Sequence, residues 1–600
     1  MAVLPGRHVR TERLRTLRAE VADLRAAALA AEAAERERID AVDPVHRGGA
    51  TNLVHYLALR SRDLRPLQER LSAEGLSSLG RMEAGVLRNL DAVLRMLGDA
   101  LGEPDDALGD GDAHEARLSA NAAALLGGLP EDRTTRIMVT LPSTAAHDPA
   151  EVAGFAEAGM DLARVNCAHD GPAAWARMAA NVRAAGAGIP VAMDLAGPKL
   201  RTGPIAAGPR VIRIKPERDQ LGRVLAPARV RLVAPGAPAG HAGTPEVPVT
   251  DAGWLRRRAP GDSVRFTDTR GRSRRLHVEE RDGNSVVLRG DRTSYLATGM
   301  VLAVEDARTS VGVLPAVVQA HRVHPGDTIT LTADLTPAEP TSGDRHRVGC
   351  TLPEAFATLR PGHRVAFDDG AIAGVVREVG ERSAEVEVTR AAPGGTKLRA
   401  EKGINLPDTD LPVSALTAED RAALDSVVEF ADIVQLSFVR SEADVRELAD
   451  ELDARGAGDL GVVVKIETTQ GFADLPDIFL ELMRRPKGGV MIARGDLGVE
   501  AGFERLAELQ EEMLWLCEAA RVPVIWATEV LDTLADTGVP TRAEVTDAAA
   551  GDRAECVMLN KGPYIPEAIR TLDDIFSRMH GHLDKKRPLL RRLRSFQRED

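Results

Sequence analysis

Two short apolar runs late in the chain end abruptly in charge. Val462, Val463 and Val464 lead into Lys465 and Glu467, and Val490, Met491 and Ile492 lead into Arg494, Gly495 and Asp496. Two carboxylates and a lysine delivered together suit a divalent metal with a cation beside it, and therefore a phosphorylated or enolic substrate. Other runs of the same kind deliver Arg164, Asn166 and His169; Asp194, Lys199 and Arg201; Ser437; and Thr528. Each alone reads as a salt bridge or a helix cap. Together they fit phosphoryl transfer. Glu467 and Asp496 offer hard oxygen ligands to Mg2+ or Mn2+. Arg164 can clamp a phosphoryl group, and Lys465 can neutralise charge on its oxygens. Helical sequence is expected from about Glu504, so free backbone N–H groups near Gly495 could hold a substrate carboxylate. No GxxxxGK[ST] string occurs, so a nucleotide would not be held by a P-loop.

Groups placed this way need strands that end at one face. Buried parallel strands read as continuous apolar runs. Eight are expected, over 137–141, 162–166, 191–195, 433–438, 462–467, 490–494, 524–528 and 557–560, with amphipathic stretches such as 149–158, 173–185, 442–452 and 504–519 between them. That is the count of an α/β protein built on a (β/α)8 TIM barrel, whose catalytic groups sit at the C-terminal strand ends. The expected parts are a helical extension (1–132), strands one to three (133–203), an inserted all-β lid domain (204–400), strands four to eight (401–582) and a basic tail (583–600). The insertion is rich in Val, Thr, Gly, Pro and Arg. RAPGDSVRFTD (258–268) resembles RPGHRVAFDD (360–369), and internal duplication is the preferred account. In the extension, Leu14, Leu17, Val21, Leu24, Ala28 and Ala31 form a short coiled-coil-like seam, read as docking onto the body rather than as a free zipper. Further helices are expected around 55–71 and 82–97.

Six hundred residues imply more than one core. A net charge of -13 and 3% aromatics argue against a nucleic-acid binder. Basic stretches at 256–258 and 585–594 read as solvated faces. Cys167, Cys350, Cys517 and Cys556 are dispersed without CxxC spacing and fit neither zinc nor a disulfide frame. The N-terminus lacks an apolar signal core and no run nears ~18 apolar residues. The expectation is a soluble cytoplasmic protein with no membrane or nucleic-acid partner.

At this point the residues resemble a family. MDLAGPKLRTG (193–203), KGINLPDTDLP (402–412), VVVKIE (462–467), MIARGDLGVE (491–500), VIWATEVLDTL (524–534) and PTRAEVTDAAA (540–550) are similar to pyruvate kinase, over roughly 135–203 and 400–575. In that family a β domain is inserted after the third barrel strand and closes over the active site. The resemblance implies transfer of the phosphoryl group of phosphoenolpyruvate to ADP with Mg2+ (or Mn2+), giving pyruvate and ATP. It implies that Arg164 binds the phosphate and Lys465 stabilises the transferring group. Glu467 and Asp496 would hold the metal, Gly495 and Asp496 would contact the substrate carboxylate, and Thr528 would serve enolate protonation. Asn166, His169 and Arg201 would line the nucleotide side.

The chain departs from the family at several points. The monovalent-cation positions, which take Asn, Ser, Asp and Thr, are here Asn166, Ala168, Asp194 and Leu195. Lys199 stands where K+-dependent members carry Glu, so its ammonium is expected to replace K+. The first strand reads VTLPSTAA (139–146), Asn560-Lys561-Gly562-Pro563 replaces Ser-Gly-Glu-Thr, and Glu529 replaces Gln. The family's C-terminal α/β domain has no counterpart, so a divergent branch is expected, in which the N-terminal heptads could support a homodimer. Two alternatives share the site: a metal-dependent C–C lyase or aldolase acting through enolpyruvate, and a non-catalytic sensor of phosphoenolpyruvate or nucleotide. Arg164, Lys465 and Thr528 favour the kinase, since a lyase needs no phosphate clamp and a sensor no proton donor.

Overall fold

The computed structural model describes residues 5–103, 115–130, 132–186, 188–236, 244–584 and 587–588; the basic tail at 585–594 lies essentially outside the described residues. Eight parallel strands close into one barrel in chain order: β1 (Arg136–Thr140), β2 (Leu162–Asn166), β3 (Val191–Asp194), β4 (Ile433–Leu436), β5 (Gly461–Ile466), β6 (Gly488–Ala493), β7 (Val524–Ala527) and β8 (Cys556–Leu559), with β8 returning to β1. The apolar runs thus form a (β/α)8 barrel interrupted after its third strand. Helices follow the strands where the sequence supplies start signals. Asp148 accepts the N–H groups of Ala150 and Glu151 ahead of Pro149–Ala158. Capping boxes Thr417/Asp420 and Thr541/Glu544 open Ala418–Phe430 and Arg542–Gly551.

Residues 1–201, 352–390 and 403–600 cluster as one compact unit, and 202–351 with 391–402 as a second. The second unit holds a seven-stranded sheet around buried Trp254 and Leu232. Residues 352–390 cluster with the barrel unit, where Arg364–Phe367 pairs antiparallel with Ile372–Val379 and with Ile404–Asn405. The two similar segments fold alike internally. Gly261 and Gly362 both adopt positive φ, +96° and +94°. Their N–H groups donate to Val278 and Val376, and each hairpin carries a bulge just beyond that valine.

The extension consists of α1 (Pro5–Ala34), α2 (Arg36–Ala41), α3 (Arg47–Arg60), α4 (Arg65–Ala73), α5 (Val86–Leu101) and α6 (Glu115–Leu126). The segment expected around 55–71 is therefore two helices, broken at 61–64, where Asp63 caps the N–H of Arg65. Leu14, Leu17, Val21, Leu24 and Ala28 are buried as α1 packs on α5 and α3. This seam is spent inside the chain. Asn52 of α3 holds the barrel helix Phe503–Ala520 by donating to Ala519 O. Leu125 of α6 seats on Gly461 and Gly489, where added Cβ atoms would lie 2.6 and 2.5 Å from it. It belongs to the same buried cluster as Met138, Val463 and Met491 and so plugs the barrel at the strand starts. Among the described residues no helix is long and apolar enough to cross a membrane.

Candidate active site

Closure of the barrel brings the ends of β2, β3, β4 and β5 onto one carboxylate. Asp194, the last residue of β3, is 1% exposed. Arg164 Nε donates to Asp194 Oδ2 at 2.9 Å, and its Nη1 to Thr140 Oγ1 at 2.9 Å. Lys465 Nζ lies 3.2 Å from both oxygens of Asp194, 2.8 Å from Ser437 Oγ and 3.2 Å from Glu467 Oε1. Burial works to raise the Asp194 carboxyl, but Lys465 and Arg164 beside it hold it below the usual range. Burial opposes the charge on Lys465 as well, and Asp194 and Glu467 outweigh it and raise its pKa. The ammonium is pinned by three acceptors in a dry site. Arg164, by contrast, has five N–H donors and spends three of them on Asp194 and Thr140. Two remain for a ligand.

The metal-ligand candidates sit next to this hub. Glu467 is 3% exposed, and its Oε2 accepts the N–H of Phe438 at 2.6 Å. Phe438 adopts φ +56°, a strained turn at the end of β4 that aims this N–H. Burial raises the Glu467 carboxyl; Lys465 opposes that, and the negative charges of Asp496 and Asp194 add to it. A buried carboxylate whose ionisation is opposed by neighbouring negative charge fits a cation beside it. Among the described residues no three His, Cys, Asp or Glu side chains form a metal cage. A pair suits Mg2+, which keeps several waters and takes one or two carboxylates plus substrate oxygens.

Asp496 reaches the site on a short helix, Arg494–Ala501, that precedes the expected one; the stretch expected over 504–519 is the separate helix Phe503–Ala520. The junction differs in use as well: the Gly495 N–H is not free but donates to Thr528 Oγ1 at 2.7 Å. Thr528 follows β7 at φ +66°, costly for a β-branched residue. Arg494 holds it there. Its guanidinium turns back over the Trp526 ring at 4.7 Å and donates to the carbonyls of Ala527 and Thr528. Lys199 Nζ bonds both oxygens of Asp496, at 3.0 and 3.1 Å. The loop that carries it is fixed by Asp420, whose carboxylate accepts the N–H groups of Ala196 and Gly197. Gly197 is required there: at φ +67° an added Cβ would meet Ser437 Cβ at 2.9 Å.

The nucleotide-side candidates are more open. Asn166 Oδ1 is used within its own loop, accepting the N–H of Ala168 at 3.0 Å. His169 is exposed, and what burial it has, then Lys561 and Arg201, lower its pKa. Arg201 bridges to Gly403. Lys561, one of the departures after β8, thus adds charge beside His169 and Arg201. Two acidic groups escaped the sequence reading. Asp369, at φ +52°, faces Lys199 across Gly403; an Asp-Asp-Gly string at a strand end was its signal. Glu500, one helix turn beyond Asp496, accepts from Asn405 at 3.2 Å, and burial pushes its carboxyl up to about 7. Its folded pKa exceeds the unfolded one, so the stability it contributes is full below pH about 4.5 and is lost as pH rises through about 7. Glu500→Gln is expected to flatten that slope, worth roughly 3 kcal/mol, in urea unfolding between pH 4.5 and 8.

An interrupted parallel barrel with a charged mouth of this kind defines a (β/α)8-barrel enzyme. The profile of the family described as "Pyruvate kinase, barrel domain" matches residues 290–568. Pyruvate kinase of Methylorubrum extorquens is 37% identical over 257 residues, 42% of this chain and 50% of that protein. Pyruvate kinase of Clostridium perfringens is 32% identical over 259 residues (42% and 52%), and human pyruvate kinase PKLR 32% over 289 residues (47% and 48%). Residues 290–568 are thus similar to the barrel domain of the pyruvate kinase family. The chain spans about half the length of the curated relatives it matches.

Proposed function

We propose that this chain transfers the phosphoryl group of phosphoenolpyruvate to ADP, giving pyruvate and ATP, with Mg2+ and without K+. The observation that carries this reading is the Lys465 ammonium, buried within 3.2 Å of Asp194 and Glu467 and next to the free donors of Arg164. A lyase gains nothing from two cations at a phosphate position.

In this reading Arg164 binds the phosphate through its two uncommitted N–H groups, and Lys465 stabilises charge on the equatorial oxygens as the bond from enol oxygen to phosphorus breaks and a bond to ADP forms. Glu467 and Asp496 would hold Mg2+, which when bound supplies charge neutralisation at the phosphoryl and enolate oxygens. Thr528 lies on the route that delivers a proton to the enolate carbon, and the first turn of the Arg494–Ala501 helix, at Gly495 and Asp496, would receive the substrate carboxylate once it displaces Thr528 Oγ1 from the Gly495 N–H. His169, Arg201 and Asn166 face the nucleotide. Incubation with phosphoenolpyruvate, ADP and Mg2+ tests the proposal: pyruvate and ATP must form in equal amounts. Ligand binding without turnover would instead indicate a sensor, and pyruvate released from a larger oxo-acid without ADP a lyase.

Lys199 carries the K+ part of the proposal. Its ammonium lies on Asp496, where a fixed positive charge serves the same carboxylate that would hold the metal. Full activity is expected with tetramethylammonium as the only monovalent cation, and Lys199→Met is expected to lose at least about tenfold in kcat/KM there, about 1.4 kcal/mol. A strict K+ requirement of the unaltered chain would sink the idea.

A further inference from the structure

The docked extension creates a second site, away from the barrel mouth. Arg60, the exposed last residue of α3, lies over two aromatic rings, 5.5 Å from the centroid of Tyr56 and 5.0 Å from that of Trp515. Its Nη1 donates to Tyr56 Oη at 2.7 Å, and among the described residues no carboxylate forms an ion pair with it. A helix C-terminus favours a cation. That accounts for a basic residue at this position, but not for its place against two rings with a cavity on each side. One cavity, of about 350 Å3, has Arg60, Arg62 and Arg65 in its wall against the carboxylates of Asp63 and Glu83. The other, of about 250 Å3, is mainly apolar, with Phe472, Pro476 and Leu516, and has one carboxylate, Glu512, in its wall. Arg60 and Trp515 line both. Among the described residues the guanidinium groups of Arg62 and Arg65 form only exposed ion pairs, with Asp23 and Asp63, which an incoming anion can displace at little cost.

We infer that this seam binds a small anion, a phosphate monoester or carboxylate on a flat apolar body, with its head on Arg60 and its body against Trp515. A guanidinium stacked on aromatic rings is pre-organised and weakly hydrated, which suits it to planar or tetrahedral oxyanions. The larger volume is in the range of small-molecule sites, about 300–1,000 Å3, and the smaller lies just below it. The seat also touches the machinery of the barrel. Phe472 belongs to the helix Thr469–Ala473 just after Glu467, and Trp515 to the helix Phe503–Ala520 that follows the Asp496 helix. An effect of the ligand on turnover would rest on the phosphotransferase reading; the binding itself does not.

Calorimetric titration of the full chain with phenyl phosphate tests the site. Arg164→Met, which removes the phosphate clamp of the barrel mouth, should leave one binding event. In that background Arg60→Met, and separately Leu57→Glu, which sets a carboxylate one helix turn before Arg60, should each weaken binding at least about tenfold. Unfolding midpoints near that of the parent would show that the variants fold. Benzoate binding at the same seat would show that carboxylate and phosphate heads are both accepted. Inorganic phosphate binding as tightly as phenyl phosphate would overturn the apolar half of the inference. No saturable heat up to roughly 10 mM, or an affinity unmoved by both substitutions, would overturn the site.

Discussion

Lys465→Met is expected to lower kcat by about 10³-fold, about 4 kcal/mol of transition-state stabilisation, while KM for phosphoenolpyruvate moves little. The reason is the timing of the charge. In the ground state the ammonium is already satisfied by Asp194, Ser437 and Glu467. Its advantage appears when negative charge grows on the phosphoryl oxygens, and an interaction gained only then acts on kcat. The water-poor surroundings enlarge the effect, because Lys465 is 8% exposed and Asp194 1%. Methionine keeps much of the stem volume, so the lesion is mainly the lost charge. Steady-state kinetics by a coupled pyruvate assay measures the split. A variant within about tenfold of the parent in kcat, or one that changes only KM, would remove Lys465 from the chemistry.

Asp194→Ala is the second large effect, and it falls on stability first. One buried carboxylate serves both Arg164 and Lys465. Without it two buried cations face each other with Glu467 as the remaining close counter-charge of Lys465. Breaking a buried pair by removing one partner costs about 3–5 kcal/mol, a large share of the roughly 5–15 kcal/mol that holds a domain folded. The transition should be followed through Trp175, Trp515 and Trp526 in a Trp254→Phe background, because Trp254 belongs to the other unit. The sign of the pH dependence is fixed by the depressed carboxyl. Its stabilisation is present above the unfolded pKa, about 3.9, and is lost as pH falls through the folded value. The gap between parent and Asp194→Ala should therefore close in acid. A gap of under about 1 kcal/mol at pH 7 would mean that Arg164 and Lys465 find other partners.

Much of the scaffold was legible before any coordinates. The runs 462–467, 490–494 and 524–528 became β5, β6 and β7 with ends shifted by at most two residues. Strands buried on both faces must be apolar throughout, which leaves a local mark. The stretch 504–519 is the helix Phe503–Ala520, but the short helix Arg494–Ala501 before it leaves no such mark, because Arg-Gly-Asp reads as a loop. In the folded barrel Arg494 is neutralised by Asp547 and stacks on Trp526, and the helix begins at once. The one long helix expected around 55–71 was two, because the Asp63 turn is a weaker signal than the apolar spacing that spans it.

By itself the sequence determined which groups stand at strand ends, among them Lys465 beside Glu467 and Asp496 one strand on, since spacing along a chain is a local property. Only the tertiary structure decided what each group meets. Asp194 became the common counter-ion of Arg164 and Lys465, Lys199 came to rest on Asp496, and Gly495 spent its N–H on Thr528. Those partners lie far apart in sequence, and closing eight strands into a ring brings their ends within hydrogen-bond distance, where burial makes an unpaired charge too costly to keep.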